Sequence, residues 1–318
     1  MKKIRTAYLK TNYTCNNRCI FCYSDHSQEK TMDLNEVREN MEYILENLNF
    51  DKFILSGGEA SVHPEFEEIL EYIAEKIKSK FLLVTNGRQL ANDSIIKSLN
   101  RFKKDKIEVS ISLHGPDKAT HESITRVQGS FNEAMKSIEV LIKNGIRVSV
   151  VFVITKDNFL SLPKTIETLK KEGVNEFRLR IVYPWDVNKE SEIAKLLPPP
   201  VLAKEKILEA MGIAHSNKGI LHIDYMPYCY ISLKRYKRKS LYSFEKDFAD
   251  IEIYFFDKWH QKDHFITRDC IQESQGHEFF DNLHKNEYCK DCVQPCEGLP
   301  NSYLEAGFNN EKDIFNEK

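Results

Sequence analysis

The chain has 318 residues, 41% of them hydrophobic and 30% charged, with only 12 Gly and 10 Pro; this composition excludes disordered and collagen-like chains and suits a globular protein with a sizeable core. Lys+Arg at 46 against Asp+Glu at 48 leaves a net charge of −2, so no overall field draws the chain onto nucleic acid or anionic lipid, and any such binding has to be local. At roughly 150 residues per domain the length allows one large domain or two unequal ones.

A first strand is expected at Ile4 to Leu9. Asp33 and Glu36 then form a capping-box pattern, and Leu34, Val37, Met41, Ile44, Leu45 and Leu48 follow at helical spacing. After a strand at Lys52 to Ser56, a second helix is expected to start at Pro64 and to carry Phe66, Ile69, Leu70, Ile73 and Ile77 on one face. Further strands are expected at Phe81 to Thr85, Lys106 to Leu113, Arg147 to Ile154 and Glu176 to Val182, separated by helical segments around 91–100, 130–143 and 160–172. These make six βα units and a parallel sheet, either doubly wound or curled into a full or partial barrel.

The strand faces favour a partial barrel. Ile107, Val109, Ile111 and Leu113 oppose Glu108, Ser110, Ser112 and His114, while Phe177, Leu179 and Ile181 oppose Arg178 and Arg180. A sheet covered by helices on both sides would be apolar on both faces. The expected architecture is therefore α/β, a partial (β/α)6 TIM-type barrel whose polar lumen is lined by Ser110, Ser112, Arg178 and Arg180; an exposed edge strand is the plainer alternative for either strand alone. The run Pro198-Pro199-Pro200 reads as a stiff connector, and Val201 to about His215 as a helix. From Leu221 the chain is rich in Tyr, Phe and Cys without clear periodicity, so residues 1–220 are expected to form the barrel and 221–318 a smaller second domain.

The eight cysteines divide by position: Cys15, Cys19 and Cys22 near the start, then Cys229, Cys270, Cys289, Cys292 and Cys296. This is not the pattern of a short secreted disulfide scaffold. Met1 to Arg5 lacks the apolar core of a signal peptide, and no apolar run approaches the ~18 residues of a membrane span. The expected setting is the reducing cytoplasm, away from membranes, with clustered thiols serving metals. Cys15, Cys19 and Cys22 follow the first strand at C-x3-C-x2-C spacing, and three ligands leave one coordination position open for chemistry. A structural zinc site completed by His26 is the alternative on these residues alone.

The cysteine spacing ending in Tyr23, with Ser56-Gly57-Gly58-Glu59, Thr85-Asn86-Gly87, Ser110-Ile111-Ser112 and Arg126 following in order, resembles the radical S-adenosylmethionine (SAM) superfamily over about the first 185 residues. The resemblance implies a [4Fe-4S] cluster held by Cys15, Cys19 and Cys22, with SAM on its fourth iron. Reduction of the cluster would cleave SAM to methionine and a 5′-deoxyadenosyl radical, the protein's part being positioning and exclusion of water. It implies further that Gly57, Gly58 and Glu59 receive the SAM amine, that Asn86, Ser110 and Ser112 contact its methionine and ribose ends, that Arg126 pairs with its carboxylate, and that Phe21 and Tyr23 flank its adenine. Two glycines permit close backbone approach, a carboxylate accepts from an ammonium, and a guanidinium suits a carboxylate. A capped turn, a satisfied lumen hydroxyl, a surface ion pair or a core aromatic are the ordinary readings of the same positions. His63 and His114 are read as structural.

Cys289, Cys292 and Cys296, with Cys229 or Cys270, supply four ligands for zinc or an iron–sulfur cluster. Beside a radical SAM core this resembles, in part, the SPASM and twitch domains, and implies one auxiliary [4Fe-4S] cluster on Cys229, Cys289, Cys292 and Cys296. Cys229 is preferred because Pro227-Tyr228-Cys229 reads as a fixed turn; the spare thiol, Cys270 or else Cys229, is a buried hydrophobe or a candidate hydrogen-atom donor. The basic stretch 234–239, flanked by Tyr230 and Tyr242, is first a solvated surface and second a docking site for an acidic peptide or a phosphorylated small molecule. The resemblance points to modification of a ribosomally made peptide, by crosslinking or epimerisation, with flavodoxin or ferredoxin as electron donor and no nucleic-acid partner. The start of the chain close to the first strand leads to the expectation of no separate leader-binding domain. A small metabolite (sugar, nucleoside or amino-acid derivative) is the alternative substrate, and a non-catalytic two-cluster protein the alternative of another class.

Overall fold

Alternation of apolar and polar residues along each strand decides which side of the sheet the helices cover, and the computed structural model follows that rule. It describes residues 4–22, 31–182, 195–216 and 219–224, with strand segments at 251–256, 264–266, 283–284 and 299–300. Strands β1 (Ile4–Lys10), β2 (Lys52–Ser56), β3 (Lys80–Thr85), β4 (Ile107–Ser112), β5 (Arg147–Ile154), β6 (Glu176–Ile181) and β7 (Ile220–Asp224) lie side by side in chain order, each parallel to the next. Beyond β1, β8 (Ile251–Phe256) pairs parallel to it and β9 (His264–Ile266) antiparallel to β8; β10 (Leu283–His284) and β11 (Leu299–Pro300) pair separately. β7 and β9 are the edges of the nine-stranded sheet, which is therefore an open, partial barrel.

The helices are α1 (Leu34–Asn47), α2 (Phe66–Lys76), α3 (Asp93–Leu99), α4 (Lys118–Thr125), α5 (Ser130–Lys143), α6 (Leu162–Lys171) and α7 (Pro200–His215). Ala7, Leu9, Phe53, Leu55, Ile107, Val109, Ile111, Phe177 and Leu179 share the buried apolar face beneath them. The other face is polar, as the alternation predicts. The register sets Ser112, Val151, Arg178 and His222 in one row and Ser110, Ser149 and Glu176 in the row below. At its floor Glu108 accepts from Arg147 Nη2 at 2.8 Å and from Ser149 Oγ at 2.9 Å, and Glu176 lies 3.4 Å from both Arg178 and His222. His222 and Arg178 hold the Glu176 carboxyl below its ordinary range, while burial pushes the Lys52 ammonium down.

The capping box forms, with Glu36 N donating to Asp33 Oδ1 at 2.9 Å and Asp33 N to Glu36 Oε2 at 3.0 Å. Two local expectations need correction. Pro64 precedes α2, which starts at Phe66, because His63 closes the preceding turn by accepting from Glu65 N and Phe66 N. Pro200 opens α7, where its missing N–H costs no hydrogen bond. Helix α4, not expected, is capped by Asp117 accepting from Thr120 N at 2.8 Å. The expected division at 220/221 falls inside β7. No helix among the described residues is long and apolar enough to cross a membrane.

Candidate active site

Parallel strands converge their loops at their C-terminal ends, and the three described cysteines lie in the loop that leaves β1 there. That loop is tied to two neighbours. On the β2 side Gly58 N donates to Asn12 O at 2.7 Å and Glu59 N to Thr14 O at 2.8 Å; on the α4 side Arg18 N donates to Thr125 O at 2.9 Å and Ile20 N to Ile124 O at 3.0 Å. Asn12 Nδ2 adds bonds to Thr14 O and Glu59 O, both 2.9 Å. Glycine is required at both steps of the β2 turn: a Cβ at Gly57 would lie 2.3 Å from Asn12 Oδ1, and one at Gly58 would lie 2.1 Å from Tyr13 O and 2.5 Å from Thr14 O.

Glu59 is 2% exposed, and its carboxylate accepts four donors from the chain itself. Oε1 takes Ser61 N at 3.1 Å, Ser61 Oγ at 2.7 Å and Thr85 Oγ1 at 2.6 Å; Oε2 takes Asn86 N at 2.5 Å. Glu59 thus joins the loop after β2 to the turn after β3. From that turn Asn86 Nδ2 donates to Asn16 Oδ1 at 2.6 Å and to Cys15 Sγ at 3.8 Å, and Asn86 Oδ1 accepts from Arg88 N at 3.0 Å. The nearly buried Arg88 guanidinium reaches Asn16 O and Asn17 Oδ1 in the cysteine loop and pairs with Glu133 on α5.

The thiols themselves are half-buried. Burial pushes Cys15 up to about 11, with the Glu59 carboxylate and Cys22 adding to it, and pushes Cys19 up to about 12, with Cys22 and Cys15 adding. Among the described residues no three Cys, His, Asp or Glu side chains converge on a point that a single metal ion could occupy. At neutral pH Cys15 and Cys19 are therefore protonated in the metal-free chain, so their ligation releases protons.

Phe21 packs its ring edge against His114, centroids 5.1 Å apart, and His114 stacks on His121 at 5.7 Å. His121 Nδ1 accepts from His114 N and His114 Nδ1 from Val153 N, so both rings carry their proton on Nε2. Burial, then Arg88, pushes His121 down to about 4, and burial, then His121, holds His114 well below the ordinary range. The unfolded chain takes up these protons first, so stability is complete above pH 6.5 and falls as pH drops toward 4. For His121 the loss between pH 7.5 and pH 5 is about 2 kcal/mol. Urea unfolding of the metal-free protein at the two pH values is expected to show at least this loss, and His121→Gln to remove the His121 share while that of His114 remains; an unchanged pH dependence in the variant would contradict a neutral buried His121.

The structure thus brings Cys15, Cys19, Cys22, Gly57, Gly58, Glu59 and Asn86 together and sets Phe21 beside His114. Ser110 is buried and Ser112 half-buried on the polar face of β4, and His63 is held by Met32 O at 2.7 Å. Arg126 caps α4 in the left-handed region at φ 56°, exposed, one residue beyond the Thr125 carbonyl that accepts from the cysteine loop. Tyr23, His26, Cys229, Cys270, Cys289, Cys292, Cys296 and the basic stretch 234–239 lie outside the described residues. Asn12, Arg18, Arg88 and Glu133 hold the site and were not expected; the one signal for Arg88 is its place directly after the turn at the end of β3.

Comparison with known proteins agrees with this geometry. The Radical SAM superfamily model matches residues 9–169, half of the chain. AlbA of Bacillus subtilis, an antilisterial bacteriocin subtilosin biosynthesis protein, is 29% identical over 183 residues, 56% of this chain and 39% of AlbA. A "Probable GTP 3',8-cyclase" of Thermoplasma volcanium is 28% identical over 217 residues, 66% of this chain and 64% of that protein. Both matches span less than two thirds of the relative. Streptococcus suis SuiB bound to its precursor peptide SuiA shares the fold with a TM-score of 0.66 at 13% identity, covering 96% of this chain and 73% of SuiB. The loop geometry and the family match together place this chain in the radical SAM superfamily of enzymes, which implies a SAM-binding [4Fe-4S] cluster.

Proposed function

We propose that Cys15, Cys19 and Cys22 hold the [4Fe-4S] cluster and that the enzyme modifies a ribosomally made peptide. The observation that carries the ligand assignment is the disposition of the three thiols: all lie in one loop at the open end of the barrel, tied by backbone hydrogen bonds to the β2 turn and to α4. A cubane cluster takes one cysteine on each of three irons and leaves the fourth iron open, which suits three ligands at this spacing. When bound, the cluster supplies the electron that cleaves SAM to methionine and the 5′-deoxyadenosyl radical that abstracts hydrogen from substrate. The chain positions and shields this chemistry. Phe21 and Tyr23 flank the adenine, Ser110 and Ser112 offer hydroxyls from β4, and Arg126 offers a planar donor to the SAM carboxylate. Gly57, Gly58 and Glu59 receive the SAM amine, and they also shape the loop, since the glycines abut residues 12–14 and the Glu59 carboxylate is engaged by four internal donors.

Within 221–318 we assign a SPASM- or twitch-like auxiliary [4Fe-4S] cluster to Cys229, Cys289, Cys292 and Cys296, with Cys270 as the spare thiol and candidate hydrogen-atom donor. Flavodoxin or ferredoxin would deliver the electrons. The peptide reading is supported by similarity to AlbA, a bacteriocin biosynthesis protein; similarity to a GTP 3′,8-cyclase favours a nucleotide-like metabolite as the second reading. The test is anaerobic incubation of the iron- and sulfide-reconstituted protein with SAM, dithionite and a short peptide encoded beside its gene. Mass spectrometry is expected to show loss of a hydrogen pair on crosslinking, or deuterium uptake from D2O on epimerisation. An unchanged peptide, with a nucleotide consumed in step with 5′-deoxyadenosine, would overturn the peptide reading in favour of the metabolite.

A further inference from the structure

Two residues at the end of β3, Asn86 and Arg88, reach the cysteine loop from a fully braced position. The Asn86 backbone N–H is held by Glu59 at 2.5 Å, and Gly87, at φ 77°, turns the chain with its N–H on Thr85 Oγ1 at 3.0 Å. The Asn86 side chain, 8% exposed, is fixed at both ends: Oδ1 by Arg88 N, and Nδ2 by Asn16 Oδ1 and Cys15 Sγ. Cys15 Sγ accepts a second donor, Asn17 N at 3.4 Å, and Arg88 holds this same segment through Asn16 O and Asn17 Oδ1 while anchored to Glu133. Both N–H groups aimed at the Cys15 sulfur are thus set by one turn.

We propose that Asn86 and Arg88 are positioning residues for the cluster: Asn86 donates an amide N–H to the Cys15 sulfur, Arg88 fixes the loop that supplies the second donor, and together they raise the cluster's reduction potential. This rests on the assignment of Cys15, Cys19 and Cys22 as ligands. On one-electron reduction by an external donor the cluster and its sulfurs gain one negative charge, and N–H dipoles directed at a sulfur stabilise that form more than the oxidised one. In this role Asn86 acts through Cys15, beside the contact with SAM that the family resemblance implies for it.

The test uses the full chain, reconstituted with iron and sulfide, and its Asn86→Ala, Asn86→Asp and Arg88→Lys variants. Iron content is measured first, then the electron paramagnetic resonance signal that SAM perturbs is followed through an equilibrium redox titration. At a fixed poise the reduced-to-oxidised ratio is expected to fall about tenfold in Asn86→Ala, about 59 mV for a one-electron couple. A larger fall is expected in Asn86→Asp, which keeps the shape and the acceptor for Arg88 N but turns an acceptor toward the sulfur, and a fall in the same direction in Arg88→Lys. Should the alanine variant load poorly, the near-isosteric Asn86→Asp decides. Wild-type midpoints in the Asn86 variants, or lowered iron content with an unshifted midpoint, would overturn the proposal and leave a structural role. A wild-type protein whose cluster does not respond to SAM would overturn instead the ligand assignment beneath it.

Discussion

Replacing Glu59 by alanine is expected to destabilise the metal-free protein by several kcal/mol and to bring iron retention near zero. The carboxylate is buried and accepts from Ser61 N, Ser61 Oγ, Thr85 Oγ1 and Asn86 N. Each buried donor left without an acceptor costs about 1–3 kcal/mol; rehydration of the space recovers part of the sum, so a loss of about 4 kcal/mol is expected. The same carboxylate joins the ends of β2 and β3, so its removal frees the Asn86 turn that grips the cysteine loop. Urea unfolding and iron analysis after reconstitution check both effects. A Glu59→Ala protein with wild-type stability and iron content would show that the carboxylate is spare in the fold.

Gly58→Ala is expected to be nearly as damaging, and Gly57→Ala milder. The added Cβ at Gly58 would meet two backbone oxygens, Tyr13 O at 2.1 Å and Thr14 O at 2.5 Å, which can move only if the cysteine loop leaves the β2 turn. At Gly57 the nearest atom is Asn12 Oδ1 at 2.3 Å, the end of a side chain that can rotate, at the expense of its bonds to Thr14 O and Glu59 O. Overpacking costs typically 1–3 kcal/mol, and here it falls on the backbone that presents the thiols. Iron content in the order wild type, Gly57→Ala, Gly58→Ala is the expected result. Equal iron in all three would contradict a loop clamped by close backbone contact.

How much of this is legible in the amino-acid order depends on the range of each interaction. Short-range patterns carry the sheet: alternation along β4 and β6 separates the polar lumen from the face under the helices, and Asp33 with Glu36 announces α1. Helix α4 escapes because it carries no apolar stripe; of Lys118–Thr125 only His121, Ile124 and Thr125 are buried, and its start depends on the single Asp117 cap. The two glycines of the β2 turn signal close approach without revealing to what, and the structure places residues 12–14 of the chain itself against them. Arg88 is invisible locally since its partners Asn16 and Glu133 lie 72 and 45 positions away. The His114–His121 stack likewise appears only once α4 folds back on the end of β4. Polar residues that brace a site by long-range bonds leave no periodicity, whereas the thiols they brace are set by spacing.

If the loop after β1 holds a cluster that cleaves SAM, the reconstituted protein must release 5′-deoxyadenosine. The most direct measurement is formation of 5′-deoxyadenosine by the anaerobically reconstituted protein with dithionite and SAM, set against the Cys15→Ala/Cys19→Ala/Cys22→Ala variant reconstituted in parallel. The first is expected to form 5′-deoxyadenosine and the second none above background. Absence of product from a wild-type protein carrying its full iron, or equal product from the triple variant, would contradict it.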